Sequence, residues 1–340
     1  MVRIGLVGIG FMGRIHFLAA RGLGDAQVTA ICSRDAAKRK GDWTNTRGNF
    51  GPEPGQVDLA GVRTYEHLDD MLADPNIDMI DICNPTNLHP DTAIRALKAG
   101  KHVLVEKAIA LQPDQADAMI EAAKNAGKLL MVAHVLPFFP EFAFAADAVR
   151  SGKYGKLLGG HFLRVIAKPD WSAEIGDTNA TGGPAVDLHI HDTHFIGLIA
   201  GVPQSIFSTG QVDATGAVNY LNTSYLYGPG GPTITCSSGA IAAAGRPFIH
   251  GYEIYLEHAT LEFMNGPLTV YTADGKSEKP KLLGGDDPIS AFTVELQTAV
   301  DGIKNGTEPA LLSGTLARDA LVLCHREIES VKSGKILTIR

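Results

Sequence analysis

Asp187, His189, His191, Asp192 and His194 fall within eight consecutive positions of a 340-residue chain that has twelve histidines in all. Imidazoles and carboxylates packed this closely serve one of three ends: they ligate a metal, they pass protons, or they form a polar face. The backbone beneath them decides between these. Pro184, just after two glycines, suits the first turn of a helix and Gly201 suits its end, which predicts a helix over residues 184–200. At about 100° per residue, Asp187, His191 and His194 share a narrow stripe while His189 and Asp192 point elsewhere. A metal site of the HxH kind would need His189 and His191 on one face, which only a strand provides, so helical spacing argues against it. Asp187, His191 and His194 remain as a ligand set or, more simply, Asp187 and His191 as an oriented acid–base pair; structural histidines are the third reading.

A second chemical signal is Glu106-Lys107, which stands where the apolar run of "HVLVEKAIA" stops. A lysine at a strand end can meet substrate, and the alternative is an ordinary strand-end salt bridge.

The elements that position these groups begin at the N-terminus. "VRIGLVGIGFMGRIHFLAA" is a short apolar strand, the turn Gly8-x-Gly10-x-x-Gly13, and a helix. Gly8 permits the tight turn, Gly10 lets backbone approach a pyrophosphate, and Gly13 lets helix and strand pack closely. The helix N-terminus, with Phe11 and Met12, then offers free N–H groups to phosphate. The acid that usually binds the adenosine ribose lies about 20 residues on. Ser33 and Arg34 stand there instead, and a hydroxyl with a guanidinium suits a ribose 2′-phosphate, which favours NADP(H). The alternative is that Asp35 serves the ribose of NAD(H). Alternating strand and helix signals continue to about residue 135, predicting a doubly wound parallel sheet whose ligands bind at the carboxyl ends of its strands. Asn84, Pro85, Thr86 and His89 follow the fourth strand and are candidates to line the cofactor cleft. Residues 41–60, rich in Gly, Asn and Pro, read as a surface insertion.

From residue 136 the pattern changes to extended stretches separated by Gly, Pro and Asp turns, an antiparallel sheet, with helices returning near the C-terminus. The expected fold is therefore α/β: a Rossmann domain over 1–135 and an α/β domain over 136–340 that binds substrate. The composition is globular, with 45% hydrophobic residues, and the net charge of -7 argues against a nucleic-acid partner. Cys32, Cys83, Cys236 and Cys324 form no CxxC pair and read as reduced thiols. No apolar run is long enough to span a bilayer and the start shows no signal-peptide pattern, so a soluble, cytoplasmic protein is expected.

In this order the glycine turn, "HVLVEKAIAL", "GGPAVDLHIHDTHFIGLIAG" and "GYEIYLEHATLEF" resemble the glucose–fructose oxidoreductase, inositol dehydrogenase and MocA family over nearly the whole chain. The resemblance implies a second domain with a large open sheet whose outer face makes dimers or tetramers. It also implies that Glu106 and Lys107 border the cofactor. Lys107 would bind the reacting oxygen, His191 would take the hydroxyl proton as hydride leaves for nicotinamide C4, and Asp187 would orient substrate or share the relay. Two departures from the family matter. Ala108 replaces the usual proline after Glu-Lys, and because a cis bond without proline is costly, a trans bond and a differently shaped loop are expected. "HVLPFFPEF" lacks an arginine that would contact an anionic substrate; Arg164, Lys168, Trp171 and His161 are further substrate candidates, though scaffold or surface is the commoner role for each. The expected activity is NAD(P)-dependent oxidation of a sugar, inositol or related polyol. Redox-neutral glycoside chemistry and a non-catalytic cofactor sensor are the alternatives.

Overall fold

The computed structural model describes residues 1–168, 178–264, 266–284 and 287–339. Trp171 lies outside the described residues. The chain divides into two compact units, Met1–Phe138 with Gly284–Arg318, and Phe139–Leu283 with Asp319–Arg340.

The first unit alternates strand and helix: β1 (Val2–Val7), α1 (Phe11–Ala20), β2 (Ala26–Cys32), α2 (Ala36–Arg39), β3 (Arg63–Tyr65), α3 (Leu68–Leu72), β4 (Met79–Ile82), α4 (His89–Lys98), β5 (His102–Glu106), α5 (Pro113–Ala126) and β6 (Leu130–Ala133). The strands form one sheet in the order β3-β2-β1-β4-β5-β6, every neighbouring pair parallel. Strand order reverses between β1 and β4, the place where such sheets open a crevice at their carboxyl ends. β4 and β6 are buried at every residue, as expected of strands covered on both faces, although β4 carries Asp81 among its apolar residues.

Two segments of this unit differ from expectation. Residues 41–60 are more than a surface insertion. Trp43 is fully buried, stacks edge-on against Phe17 with ring centroids 4.8 Å apart, and donates its indole N–H to Lys38 O at 2.9 Å. Phe50 sits between Phe11 (4.9 Å) and Phe292 (5.6 Å), so burial of single aromatic anchors, not a periodic pattern, fixes the loop. Residues 284–318 were expected in the second domain but group with the first unit. Their long helix buries Phe292, Leu296 and Val300, and Thr293 Oγ1 donates to Ala19 O at the end of α1 (3.2 Å).

The second unit contains α6 (Pro140–Ser151), β7 (Leu157–Ala167), α7 (Thr178–Thr181), α8 (Pro184–Asp187), α9 (Ile190–Ala200), β8 (Ser205–Val212), β9 (Val218–Leu226), β10 (Thr233–Ala242), β11 (Ile249–Leu256), β12 (Ala259–Met264), β13 (Thr269–Thr272) and β14 (Ser277–Glu278). α10 (Pro288–Asn305) is the first-unit helix just described; α11 (Gly314–Ser333) and β15 (Leu337–Thr338) follow it. The sheet order is β14-β13-β12-β11-β7-β10-β9-β8-β15, antiparallel except between β7 and β10. The pleat separates its faces cleanly. Val270, Leu261, Ile254, Gly160, Ile234, Tyr225 and Ile206 are aligned across seven strands and all are buried. The neighbouring row on the other face runs Tyr271, Thr260, Tyr255, Gly159, Thr233, Leu226 and Ser205, and leaves both tyrosines and Leu226 exposed.

The covered face contains buried polar pairs as well as apolar side chains. Arg164 on β7 binds Asp192 on α9 through two hydrogen bonds of 2.6 and 3.1 Å, and His189 meets Glu327 on α11 at 2.7 Å. His194 is wholly buried, and burial pulls its pKa down to about 3 from 6.5. An unfolded chain therefore takes up a proton at this histidine below pH 6.5 that the folded chain refuses until about pH 3. Its contribution is full above pH 6.5 and is lost progressively as pH falls through that window. The urea midpoint is expected to drop from pH 7 to pH 4.5, and His194→Gln to drop less steeply, by up to about 1.4 kcal/mol per pH unit for the one proton removed. Parallel curves for the two proteins would show that His194 is charged in the fold.

Candidate active site

The glycine turn is shaped by contacts that admit no side chain. Gly8 has φ of +91°, and a Cβ there would lie 2.6 Å from Asn84 N. A Cβ on Gly13 would lie 2.0 Å from Gly8 O, so α1 packs against the end of β1 only because residue 13 is glycine. At Gly10 the situation is reversed: an added Cβ would meet nothing within 4 Å. The first bond of α1 runs from Arg14 N to Gly10 O (3.1 Å), leaving the N–H groups of Phe11, Met12 and Gly13 without a helix carbonyl. Open space in front of a helix N-terminus lined by backbone N–H groups fits a dinucleotide pyrophosphate.

At the end of β2, Ser33 Oγ accepts from Asp35 N (3.2 Å), and Asp35 Oδ1 caps α2 by accepting from Ala37 N and Lys38 N (2.8 and 3.3 Å). Arg39 binds the carbonyls of Ser33 and Arg34 (2.7 and 2.9 Å). The exposed Arg34 guanidinium has no hydrogen-bond partner among the described residues. The strand end therefore presents a hydroxyl and an uncommitted cation, while one carboxylate oxygen of Asp35 is occupied in capping.

The loop after β4 is tied to the loop after β5. Asn84 Nδ2 donates to Thr92 Oγ1 (2.9 Å), Pro85 starts a short 3-10 turn, and Thr86 within it is buried. His89, expected to line the cofactor cleft, is instead 1% exposed, its ring between Ala108 O and Asn84 O at 2.8 Å each. Burial lowers the His89 pKa, so the neutral ring donates one N–H to one of these carbonyls, and both ring nitrogens lie against the two loops and not against a ligand.

Glu106 is also turned inward. One oxygen faces His16 Nε2 (3.0 Å) and the other accepts from Lys107 N (3.0 Å). His16 Nδ1 faces both oxygens of Asp81 at 3.0 and 3.1 Å. Burial opposes the charged ring, yet Asp81, with Cys83, holds the His16 pKa well above the ordinary histidine range. Close by on α10, burial, reinforced by Glu106 and Asp81, raises the Glu295 pKa well above the carboxylate range. Ligand atoms of His16, Asp81 and Cys83 lie within 4.8 Å of one another. Both ring nitrogens of His16 are directed at carboxyl oxygens, which leaves neither of them turned to a metal. Lys107, half-buried, emerges at the end of β5 above this network, and its peptide bond to Ala108 is cis, not trans as the missing proline suggested. His16 and Asp81 escaped the sequence reading; the available signal was a histidine and an aspartate set inside otherwise apolar elements, "RIHFLAA" and "DMIDIC".

In the second unit the expected single helix is broken. Leu188 N and His189 N both donate to Pro184 O (3.3 and 3.1 Å), a widened turn that separates α8 from α9. Asp187 ends α8, His191 lies in the first turn of α9, and both are half-buried. His194, expected on their stripe, is fully buried, and His189 and Asp192 are taken by Glu327 and Arg164. Arg164, a substrate candidate, is therefore a 5% exposed partner of a buried ion pair. Lys168 is exposed just beyond β7, and His161 bonds Thr235 Oγ1 (2.9 Å).

Residues 2–134 match the profile of the GFO_IDH_MocA oxidoreductase family, NAD-binding Rossmann fold. The chain is 25% identical to myo-inositol 2-dehydrogenase of Thermotoga maritima, covering 98% of each protein. It is 26% identical to inositol 2-dehydrogenase of Rhizobium meliloti, covering 99% of each. Its fold is shared with a levoglucosan dehydrogenase solved with NADH and levoglucosan, at a TM-score of 0.84 and 18% identity over 99% of both chains. No helix among the described residues is long and apolar enough to cross a membrane. Residues 2–134 thus match the dinucleotide-binding profile of the Gfo/Idh/MocA oxidoreductases, and likeness to the two inositol dehydrogenases continues through the second unit.

Proposed function

We propose that this protein is an NAD(P)-dependent dehydrogenase of a sugar, inositol or related polyol, with NADP(H) preferred. The observation that carries the reading is Lys107 at the carboxyl end of β5, in the same sheet whose β1 ends in the glycine turn. The names of the relatives, two inositol dehydrogenases and a levoglucosan dehydrogenase, support a polyhydroxy substrate. Backbone N–H groups of Phe11, Met12 and Gly13 would hold the pyrophosphate, Ser33 and Arg34 the ribose 2′-phosphate, and the Asn84–Thr86 turn would border the cofactor. When bound, the nicotinamide supplies the hydride acceptor or donor. Lys107 places a cation on the reacting oxygen and stabilises negative charge that develops there. His191 takes the hydroxyl proton during oxidation and returns it in the reverse direction, while Asp187 orients the substrate. The exposed row of Tyr271, Tyr255 and Leu226 makes the open sheet face the surface for a second copy of the chain.

Four measurements test this. Lys107→Ala and His191→Ala are each expected to lower kcat by about 100-fold or more while leaving cofactor Kd within about twofold; full turnover in either, with substrates chosen from aldoses, inositols and glycosides, removes the assigned role. Reduced-cofactor absorbance during the same assay separates net dehydrogenation from redox-neutral chemistry. Arg34→Ala is expected to weaken NADP+ about tenfold and NAD+ by less than twofold in titration calorimetry; tighter binding of NAD+ by the parent protein would assign the ribose to Asp35. Tyr255→Glu combined with Tyr271→Glu is expected to convert the sedimenting species to monomer, and an unchanged mass would place the contact elsewhere.

A further inference from the structure

We infer that His16 is a positioning residue for Lys107, acting through Glu106. The inference rests on the functional reading above, since it gives Lys107 the reacting oxygen. The geometry is a relay through three elements of one unit: Asp81 on β4, His16 on α1, Glu106 on β5, and the Lys107 N–H, with successive contacts of 3.0–3.1, 3.0 and 3.0 Å. His16 and Asp81 are each 1% exposed and Glu106 is 6% exposed, so water does not compete for these bonds.

The proton arrangement follows from the two carboxylates that flank the ring. An imidazolium, the only ring form with two N–H groups, donates to both when both are ionised. A neutral ring would aim a lone pair at one carboxylate. The raised His16 pKa agrees with this arrangement. The cation holds Glu106 in the rotamer whose second oxygen receives the Lys107 N–H, and thereby fixes the backbone from which the lysine side chain starts. On the following residue, Ala108 O packs 2.8 Å from the buried His89 ring, so the peptide segment is flanked on both sides of Lys107. The groups that face His16 are Asp81 and Cys83 from β4 and the residue after it, Glu106 from β5, and Glu295 with Phe292 from α10. Burial, reinforced by Glu106 and Asp81, pushes the Glu295 carboxyl toward its neutral form.

A residue that acts through Lys107 differs measurably from one that merely supports the fold. His16→Gln is expected to lower kcat about 10- to 100-fold with cofactor Kd within about twofold. In a Lys107→Ala background the same change is expected to cost less than about twofold more, because the group it positions is already gone. Multiplicative losses in that cycle would overturn the proposal. A readout independent of turnover is amide hydrogen exchange in the cofactor-free protein. The peptide spanning residues 104–109 is expected to exchange at least about tenfold faster in His16→Gln, with peptides of the second unit unchanged. Unchanged exchange at 104–109 would overturn the proposal whatever the kinetics. If His16→Gln does not yield folded protein, Glu106→Gln breaks the relay one bond nearer Lys107 and is held to the same two outcomes. Should Lys107→Ala turn over at the parent rate, the functional reading fails, while hydrogen exchange still decides whether His16 restrains the segment.

Discussion

The contact on which the first unit depends is the approach of α1 to the end of β1. At Gly13 the helix comes so near Gly8 O that a methyl group has no room. That closeness directs the free N–H groups of the helix at the space before Gly10, and it also determines what lies further along the same face. Residues three apart share a helix face, so the side that must carry glycine at position 13 carries His16 one turn later. Once the helix is seated, the imidazole comes between Asp81 and Glu106 at the sheet's carboxyl edge. The cofactor cradle and the support beneath Lys107 are therefore two consequences of one packing constraint.

Buried charge is expensive, and both units bear it in compensated form. Arg164 with Asp192, His189 with Glu327, and His16 between two carboxylates are each almost wholly removed from water. Removing one partner of such a set leaves an unpaired buried charge, which costs several kcal/mol, whereas an intact set contributes modestly to stability and strongly to defining which elements meet. In the second unit this division of labour separates the clustered residues from Asp187 to His194. His189 and Asp192 connect α9 and its entry to the sheet and to α11, and His194 is enclosed as a neutral ring. Asp187 and His191 are the half-buried members of the cluster.

What the sequence disclosed and what it hid follow from the same physics. The glycine turn was legible because backbone contacts force glycine there, and the antiparallel sheet because a two-residue alternation admits few other structures. The helix over 184–200 was overdrawn because a continuous apolar pattern carries no mark of the widened turn at Leu188 and His189. Residues 41–60 looked superficial because their order comes from single anchors, Trp43 and Phe50, that no periodicity announces. Residues 284–318 follow the second sheet in the chain yet pack with the first unit, and chain order contains no information about which core an amphipathic helix will join. Glu106, His89 and Arg164 were recognised as polar residues at informative places, but whether such a side chain faces a ligand or a buried partner depends on groups distant in sequence. His16 lies 90 residues from Glu106, and Arg164 lies 28 from Asp192.

The way Lys107 is held is itself suggestive of its task. A lysine has a long, freely rotating stem, so fixing its ammonium by direct side-chain contacts would compete with the ligand for the same donors. Restraint of the backbone fixes the start of the stem, whatever the ammonium itself binds. The Lys107 N–H is bound by Glu106 and the next carbonyl by His89, both from inside the protein. Effective positioning requires the first point of a side chain to be fixed by groups that do not themselves face the reacting atoms. The histidines on either side of Lys107 meet that condition, because each is buried and each spends both ring nitrogens on the scaffold. Glu106 and His89, whose types suit ligands of a cofactor, thus lie instead against the backbone on either side of Lys107.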